Sequence, residues 1–475
     1  MLFNSLAFFA FIGLFLPIYF LLKGKQRLWL CLIGSYYFYG CWDERFLSLI
    51  IISTLIDYTV GLMLSNEEDP VRRKRMLVIS LIVNLGFLAF FKYFNFFIES
   101  FQDLVLGMGM TPSFTTLNII LPVGISFYTF QSMSYTIDVY FKKIPVETDF
   151  VRFATFISFF PQLVAGPIVR AKEFLPQFKM DKPFSWDRFN SGSGQMLWGF
   201  FKKVVVADSL APFVDQCFAA PDTFSSMHLL VGVIFWSFQI YCDFSGYSDI
   251  AIGLARILGF DFPDNFKTPY FSQGFSEFWQ RWHITLSSWF RDYLYIPMGG
   301  SRNGTFNTYK NTMITNLLSG LWHGASWVYV FWGFLHGIYI VIQRLLGKPF
   351  GRFLNKISMP KAGKVAINIF LVYTATCFAW IFFRATDFSN ALDVIVGIGK
   401  LENFTFASIV NKFWFVKGVV VIGCLLMVEI ADLKLDFSQL IRKQPVFRAV
   451  SFATVLMLIA FFGTFGSNAF IYFVF

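Results

Sequence analysis

Four histidines in 475 residues are few enough to weigh one by one. His323 is the most informative: it stands in Gly320-Leu-Trp-His-Gly-Ala-Ser-Trp327 with apolar stretches on both sides. An ionisable side chain inside an apolar segment costs about 2.5–3.5 kcal/mol on insertion scales, so it points to function by default. Wound as a helix, Asn316, Ser319, His323 and Ser326 fall at i, i+3, i+7 and i+10, a polar stripe on one face. Such a stripe faces a cavity or a polar partner rather than lipid. Gly320 and Gly324 form a small-xxx-small pair that lets another helix or a substrate approach the backbone. The competing reading is a packing histidine bonded to a neighbouring carbonyl.

The other three histidines are weaker candidates. Residues 275–293, read as one helix, gather Phe278, Trp279, Trp282, Leu286, Trp289, Phe290 and Tyr293 within an arc of roughly 120°, with Glu277, Arg281, Arg291 and Asp292 opposite. That pattern fits a helix lying in the membrane interface, with His283 on the border between its two faces. His336, in Gly333-Phe-Leu-His-Gly337, echoes the first motif thirteen residues later. Helical spacing puts it on roughly the opposite face from His323, which favours a packing role. His228 opens an apolar run after a polar loop and reads as an interfacial structural residue.

Imidazoles of this kind need elements to carry them, and the composition says in which solvent. The chain is 56% hydrophobic, 14% charged and 21% aromatic, with 66 Phe; its mean hydropathy is +0.59. So few charges cannot solvate a globular surface of this size, and an all-α polytopic integral membrane protein is expected. The net charge of +10 comes from short clusters between apolar runs rather than one basic face, so it reads as a topology signal and not as nucleic-acid binding. Cysteines 31, 41, 217, 242, 377 and 424 lie far apart with no C-x-x-C pair. Neither a metal site nor a disulfide framework is expected from them.

Residues 2–22 are apolar and are followed, not preceded, by Lys23, Lys25 and Arg27. This reverses the pattern of a signal peptide, so a retained span with an external N-terminus is expected. Further spans are expected near 28–41, 46–64, 77–98, 117–140, 195–215, 227–247, 365–384, 416–433 and 450–474. The loop Arg72 to Arg75 should be cytoplasmic, the loop 99–116, which has no Lys or Arg, external, and both termini external. Two prolines and a glycine in Phe160-Pro-Gln-Leu-Val-Ala-Gly-Pro-Ile168 predict a broken or re-entrant helix. The apolar halves 312–324 and 325–343 are short for two full spans and predict a dipping pair. These lengths give about ten to eleven transmembrane helices with re-entrant and interfacial segments, in one membrane domain over residues 1–475.

Several of these segments resemble one family. Phe278-Trp-Gln-Arg-Trp-His-Ile-Thr-Leu-Ser-Ser-Trp-Phe-Arg-Asp-Tyr-Leu-Tyr-Ile-Pro-Met-Gly-Gly300, followed by Leu321-Trp-His-Gly324, is similar to the membrane-bound O-acyltransferases. The similarity is strongest to the branch that O-acetylates alginate, other exopolysaccharides or peptidoglycan. Phe160 to Ile168, Tyr241-Cys-Asp-Phe-Ser-Gly-Tyr-Ser-Asp249 and Gly259-Phe-Asp-Phe-Pro-Asp-Asn265 fit the same branch; together the motifs fill residues 121–340. The resemblance implies a ring of helices around a thin centre, with a cytoplasmic donor site and an extracytoplasmic acceptor site joined by a narrow passage. It also implies that His323 is the catalytic histidine and His283 the second functional one.

The expected activity is transfer of an acetyl group from acetyl-CoA to a hydroxyl used in polysaccharide O-acetylation, in the bacterial inner membrane, without a bound cofactor or metal. Imidazole, with a pKa of about 6.5, suits the base such a step needs. His323 is the candidate base; His283 orients the donor or assists proton transfer; a covalent acetyl-histidine is a third route. Trp322, Asn316, Ser319, Trp282 and His336 are the candidate substrate-binding residues. An extracytoplasmic acetyltransferase of a polysaccharide-modifying complex is the expected partner besides lipid. A polysaccharide export channel is the alternative, since broken helices and midplane polar groups also mark transport sites.

Overall fold

The computed structural model describes residues 1–112, 114–180, 182–356, 359–435, 441, 443–465 and 470–471, and every regular element among them is helical. Apolar segments fold this way because backbone N–H and C=O groups held away from water must be satisfied within the segment itself. Side-chain caps set several helix starts: Ser5 accepts from the Phe8 N–H, Asp149 from Arg152 and Asp387 from Asn390. Asp69 accepts from Val71, with Pro70 as the first helical residue.

Among the described residues, seven helices are long and apolar enough to cross a membrane: Glu44–Asn66, Pro70–Gly107, Ser226–Ile257, Trp327–Phe353, Lys361–Arg384, Lys412–Leu435 and Pro445–Phe462. The protein is an all-helical, polytopic membrane protein. The shorter apolar helix Leu6–Leu21 stands where a first span is expected. Of the span expected over 450–474, residues 466–469 and 472–475 lie outside the described residues.

The chain forms two compact units, Met1–Met196 with Ile250–Pro263, and Leu197–Asp249 with Asp264–Phe475. The first unit corrects several expected boundaries. Arg72 to Arg75 are not a loop but the first turns of helix Pro70–Leu88, and Arg73 is buried, donating to the carbonyls of Leu64, Glu67 and Tyr140. Helix Phe94–Gly107 runs through the first half of the segment expected as the loop 99–116. The span expected over 117–140 begins only at Ile125, after Gly124 at φ +77. The proline-broken segment behaves as its composition dictates: helix Phe150–Ser158 stops, and residues 159–169 run as buried turns and irregular chain before the next short helix at Ala171.

The second unit carries all four histidines. The halves 312–324 and 325–343 belong to longer helices, Gly304–His323 and Trp327–Lys356, joined by Gly324 to Ser326; the second contains one of the helices long and apolar enough to cross a membrane. Ser326 therefore falls off the expected stripe. Of the expected pair, Gly320 makes the backbone approach, with Gly333 as its partner, while Gly324, just past the helix, packs against the Tyr329 ring. A Cβ on Gly320 would stand 2.2 Å from the Tyr329 carbonyl oxygen, and one on Gly333 2.2 Å from that of Asn316. Backbone touches backbone there, so neither side can yield. Gly333→Ala is expected to cost about 1–3 kcal/mol through overpacking and to lower the thermal midpoint in detergent. Gly86→Ala, where an added Cβ meets nothing within 4 Å, should not lower it; equal midpoints for the two variants would contradict this packing.

Candidate active site

The segment 275–293 is not one helix. Helix Phe275–Arg281 ends, Trp282 is extended and His283 takes a left-handed conformation at φ +41 before helix Ile284–Phe290 begins. A non-glycine residue at positive φ is held there by its surroundings. Here the Ile284 N–H donates to the Asn265 carbonyl at 2.9 Å and the Lys267 N–H to the Arg281 carbonyl at 2.9 Å. The amphipathic burial survives the break: Phe278, Trp282, Leu286, Trp289 and Phe290 are buried. His283, however, is not at a water-facing border; it is 0% exposed.

Breaking the helix at His283 turns its ring inward. Asn265 Oδ1 lies 3.1 Å from His283 Nδ1, 2.9 Å from the Thr285 hydroxyl and 3.3 Å from the Thr285 N–H, while Asn265 Nδ2 donates to Ser248 Oγ at 3.0 Å. Phe244 meets the imidazole edge-on at 4.6 Å between ring centres and Trp322 at 5.9 Å. His323, the last residue of its helix, is 2% exposed. Its ring centre lies 6.4 Å from that of His283, with Trp322, Trp332 and Phe383 at 5.0, 5.1 and 5.4 Å. Two histidines forty residues apart in sequence thus meet at the ends of two helices, walled by indole and phenyl rings. Imidazole is a group able to take up or give a proton near neutral pH.

A membrane-bound O-acyltransferase family model (MBOAT) matches residues 142–386, which include both histidines. The chain is 42% identical to the probable alginate O-acetylase AlgI of Pseudomonas aeruginosa, over 82% of this chain and 73% of that one. The chain belongs to the membrane-bound O-acyltransferase family. It is also 35% identical to a peptidoglycan O-acetyltransferase of Helicobacter pylori, over 85% of this chain and 80% of that protein. A teichoic acid D-alanyltransferase of Bacillus subtilis is 25% identical over 58% of this chain and 71% of its own length. These relatives are transferases, and the chain is an acyltransferase rather than an export channel.

Of the residues singled out in the sequence of this acyltransferase, the fold brings Trp282, His283, Trp322, His323 and His336 into one aromatic region. His336 is not remote from His323: the turn at Gly324 to Ser326 folds the second helix back, and Trp332 lies between the two imidazoles, 5.1 Å from one and 4.8 Å from the other. Phe278 stacks on His336 at 5.9 Å, and Trp282 lies 5.7 Å from Phe278. The Asn316 amide donates to its own helix at the Thr312 carbonyl, 2.8 Å away, and its backbone faces Gly333. Ser319 is buried on the same helix. His228 lies apart from this group, stacked between Phe213 and Phe224 at 4.2 and 4.4 Å, with Nδ1 accepting from the Val410 N–H at 3.2 Å. That is the structural role its position suggests.

Asn265, Trp332 and Phe383 were not legible as site residues. Asn265 stands 18 positions before His283, a spacing with no helical meaning across two turns.

Burial pushes the His283 imidazole down to about 3, against about 6.5 in an unfolded chain. The folded state keeps this ring neutral while the unfolded chain binds its proton, so the contribution is fully present above pH ~6.5 and lost as the pH falls towards 3. Between pH ~7.5 and ~5 the loss amounts to about 2 kcal/mol at 1.36 kcal/mol per unit. His283→Gln is expected to show a correspondingly shallower fall of thermal midpoint over that window. A variant that tracks the parent's pH dependence would contradict the neutral, buried assignment.

Proposed function

We propose that this acyltransferase moves an acetyl group from acetyl-CoA, bound from the cytoplasmic side of the bacterial inner membrane, to a hydroxyl that serves O-acetylation of an extracytoplasmic polysaccharide. The observation that carries the reading is the buried His283–His323 pair, inside the matched family region of a chain 42% identical to an alginate O-acetylase. His323 acts as the base. It takes the proton of the acceptor hydroxyl as the oxygen attacks the thioester carbonyl; the C–S bond breaks, and the imidazolium returns that proton to the leaving thiolate. His283, held neutral, assists proton transfer or orients the donor. Trp322, Trp282, Ser319, Asn316 and His336 line or support the substrate path. Residues 1–475 work as one membrane domain.

The immediate acceptor is a sugar hydroxyl or a serine of an extracytoplasmic partner enzyme in a polysaccharide-modifying complex. Purified protein in lipid vesicles, given acetyl-labelled CoA together with alginate oligosaccharides or with the periplasmic fraction of the source cell, tests the reading. Label on a sugar or on one protein supports it. Donor left intact with every acceptor overturns it.

A further inference from the structure

Asn265 meets the His283 ring through its side chain and the N–H of the following Ile284 through its main chain, and the hydrogen bonds around it fix which way its amide points. The Thr285 backbone N–H can only donate, and it lies 3.3 Å from Asn265 Oδ1. The atom it faces must therefore be the oxygen, because a flipped amide would set two donors against each other. The other end agrees: Nδ2 has the Ser248 hydroxyl at 3.0 Å to donate to, and the Thr285 hydroxyl reaches Oδ1 at 2.9 Å. An amide oxygen only accepts. The His283 nitrogen 3.1 Å away must therefore carry the proton, and in a neutral imidazole the second nitrogen then has none.

We propose that Asn265 is a positioning residue for acyl transfer: it locks His283 as the Nδ1–H tautomer and so presents Nε2 as a fixed lone-pair acceptor. The neutrality this needs agrees with the burial of the ring, whose ordinary basicity is pushed down to about 3. The backbone serves the same end. The Asn265 carbonyl takes the Ile284 N–H at 2.9 Å, which secures the left-handed turn that aims His283 inward. Of the elements packed on this ring, Phe244 and Ser248 on helix Ser226–Ile257 bring no charge to it, and His323 is the titratable ring that faces it at 6.4 Å. The two histidines therefore differ in kind. His283 is held in one tautomer by a neutral amide, which does not raise its basicity as a carboxylate would.

The role in transfer rests on the reading under Proposed function; the tautomer does not. With four histidines in the chain, ring-15N-histidine labelling of the full-length protein in detergent identifies the His283 signals as those lost in His283→Gln. The expected spectrum has a protonated Nδ1 and a bare Nε2, unchanged from pH ~8 to ~5.5; a bare Nδ1, or averaged signals, would overturn the proposal. Asn265→Asp keeps the shape but faces Nδ1 with a carboxylate. It should move the titration of His283 to higher pH and carry the acid limb of the kcat/KM profile the same way, because the protonated ring has no lone pair. Asn265→Leu removes the acceptor and should release both tautomers, with a loss of about 10- to 100-fold in kcat as for other orienting partners. An Asp variant whose profile superimposes on the parent's would overturn the positioning role. If the parent itself transfers no acetyl group, the spectrum still decides the tautomer, so the two failures are distinguishable.

Discussion

Replacing His323 by glutamine is expected to lower the rate of acetyl transfer by roughly 10²- to 10⁴-fold, the usual contribution of a positioned base, while the protein stays folded. The choice of glutamine follows from the packing. The sequence suggests that alanine would cost little, because a polar stripe implies a cavity; but the ring is 2% exposed and enclosed by Trp322, Trp332 and Phe383. Alanine would leave a void costing about 24 cal/mol per Å³ in lost packing. Glutamine fills most of that volume and offers an amide but no base. Kinetics separate the roles: loss of a base lowers kcat and leaves the KM for acetyl-CoA near the parental value. A folded His323→Gln protein that transfers at more than about a tenth of the parental rate would remove His323 from the chemistry, given that expected range.

The second large effect lies away from the histidines. Lys203 Nζ lies 2.6 Å from Asp243 and 2.9 Å from Asp208, with the three side chains 1, 2 and 4% exposed. Asp243 also accepts the Ile471 N–H at 2.7 Å, and the Thr464 N–H donates to the Val204 carbonyl at 2.8 Å. The triad therefore ties the end of the described chain to the wide helical turn Phe201–Ala207, which carries Lys203. Lys203→Met leaves two buried carboxylates without their cation, a loss of about 3–5 kcal/mol for a broken buried pair. Thermal unfolding in detergent should show a large drop in midpoint. Adding Asp208→Asn and Asp243→Asn should recover part of it, because the neutral set no longer buries charge. A single Lys203→Met variant that unfolds with the parent would contradict the triad's weight.

What the sequence revealed divides along physical lines. Hydropathy is a property of single residues summed over a window, so the long apolar helices at 46–64, 227–247, 365–384 and 416–433 were legible, with the ends displaced by several residues. Breaks without a proline were not. Nothing local announces that the chain leaves the helix at Trp282–His283, because the amphipathic pattern runs on through it, and the turn is held by Asn265 and Lys267 from another segment. For the same reason the thirteen-residue spacing puts His336 opposite His323 on one continuous helix, whereas Gly324 to Ser326 fold the chain back and Gly320 and Gly333 let the two helices touch. His323 and His283 were legible because an ionisable group in an apolar segment is costly wherever it sits. Asn265 was not, since an amide carries no such penalty signal and its value lies in which atoms it meets.

If a buried histidine pair drives transfer of an acetyl group from a cytoplasmic thioester to a hydroxyl beyond the membrane, donor and acceptor need never share a side. Sealed, sided vesicles of the parent and of His323→Gln decide the point. Acetyl-labelled CoA is supplied only on the face that corresponds to the cytoplasm, and a hydroxyl acceptor that takes label in the open assay only on the other. Labelled acceptor is expected on the far side with the parent and essentially none with the variant. Transfer only when donor and acceptor share a side, or equal transfer by the two proteins, would contradict it.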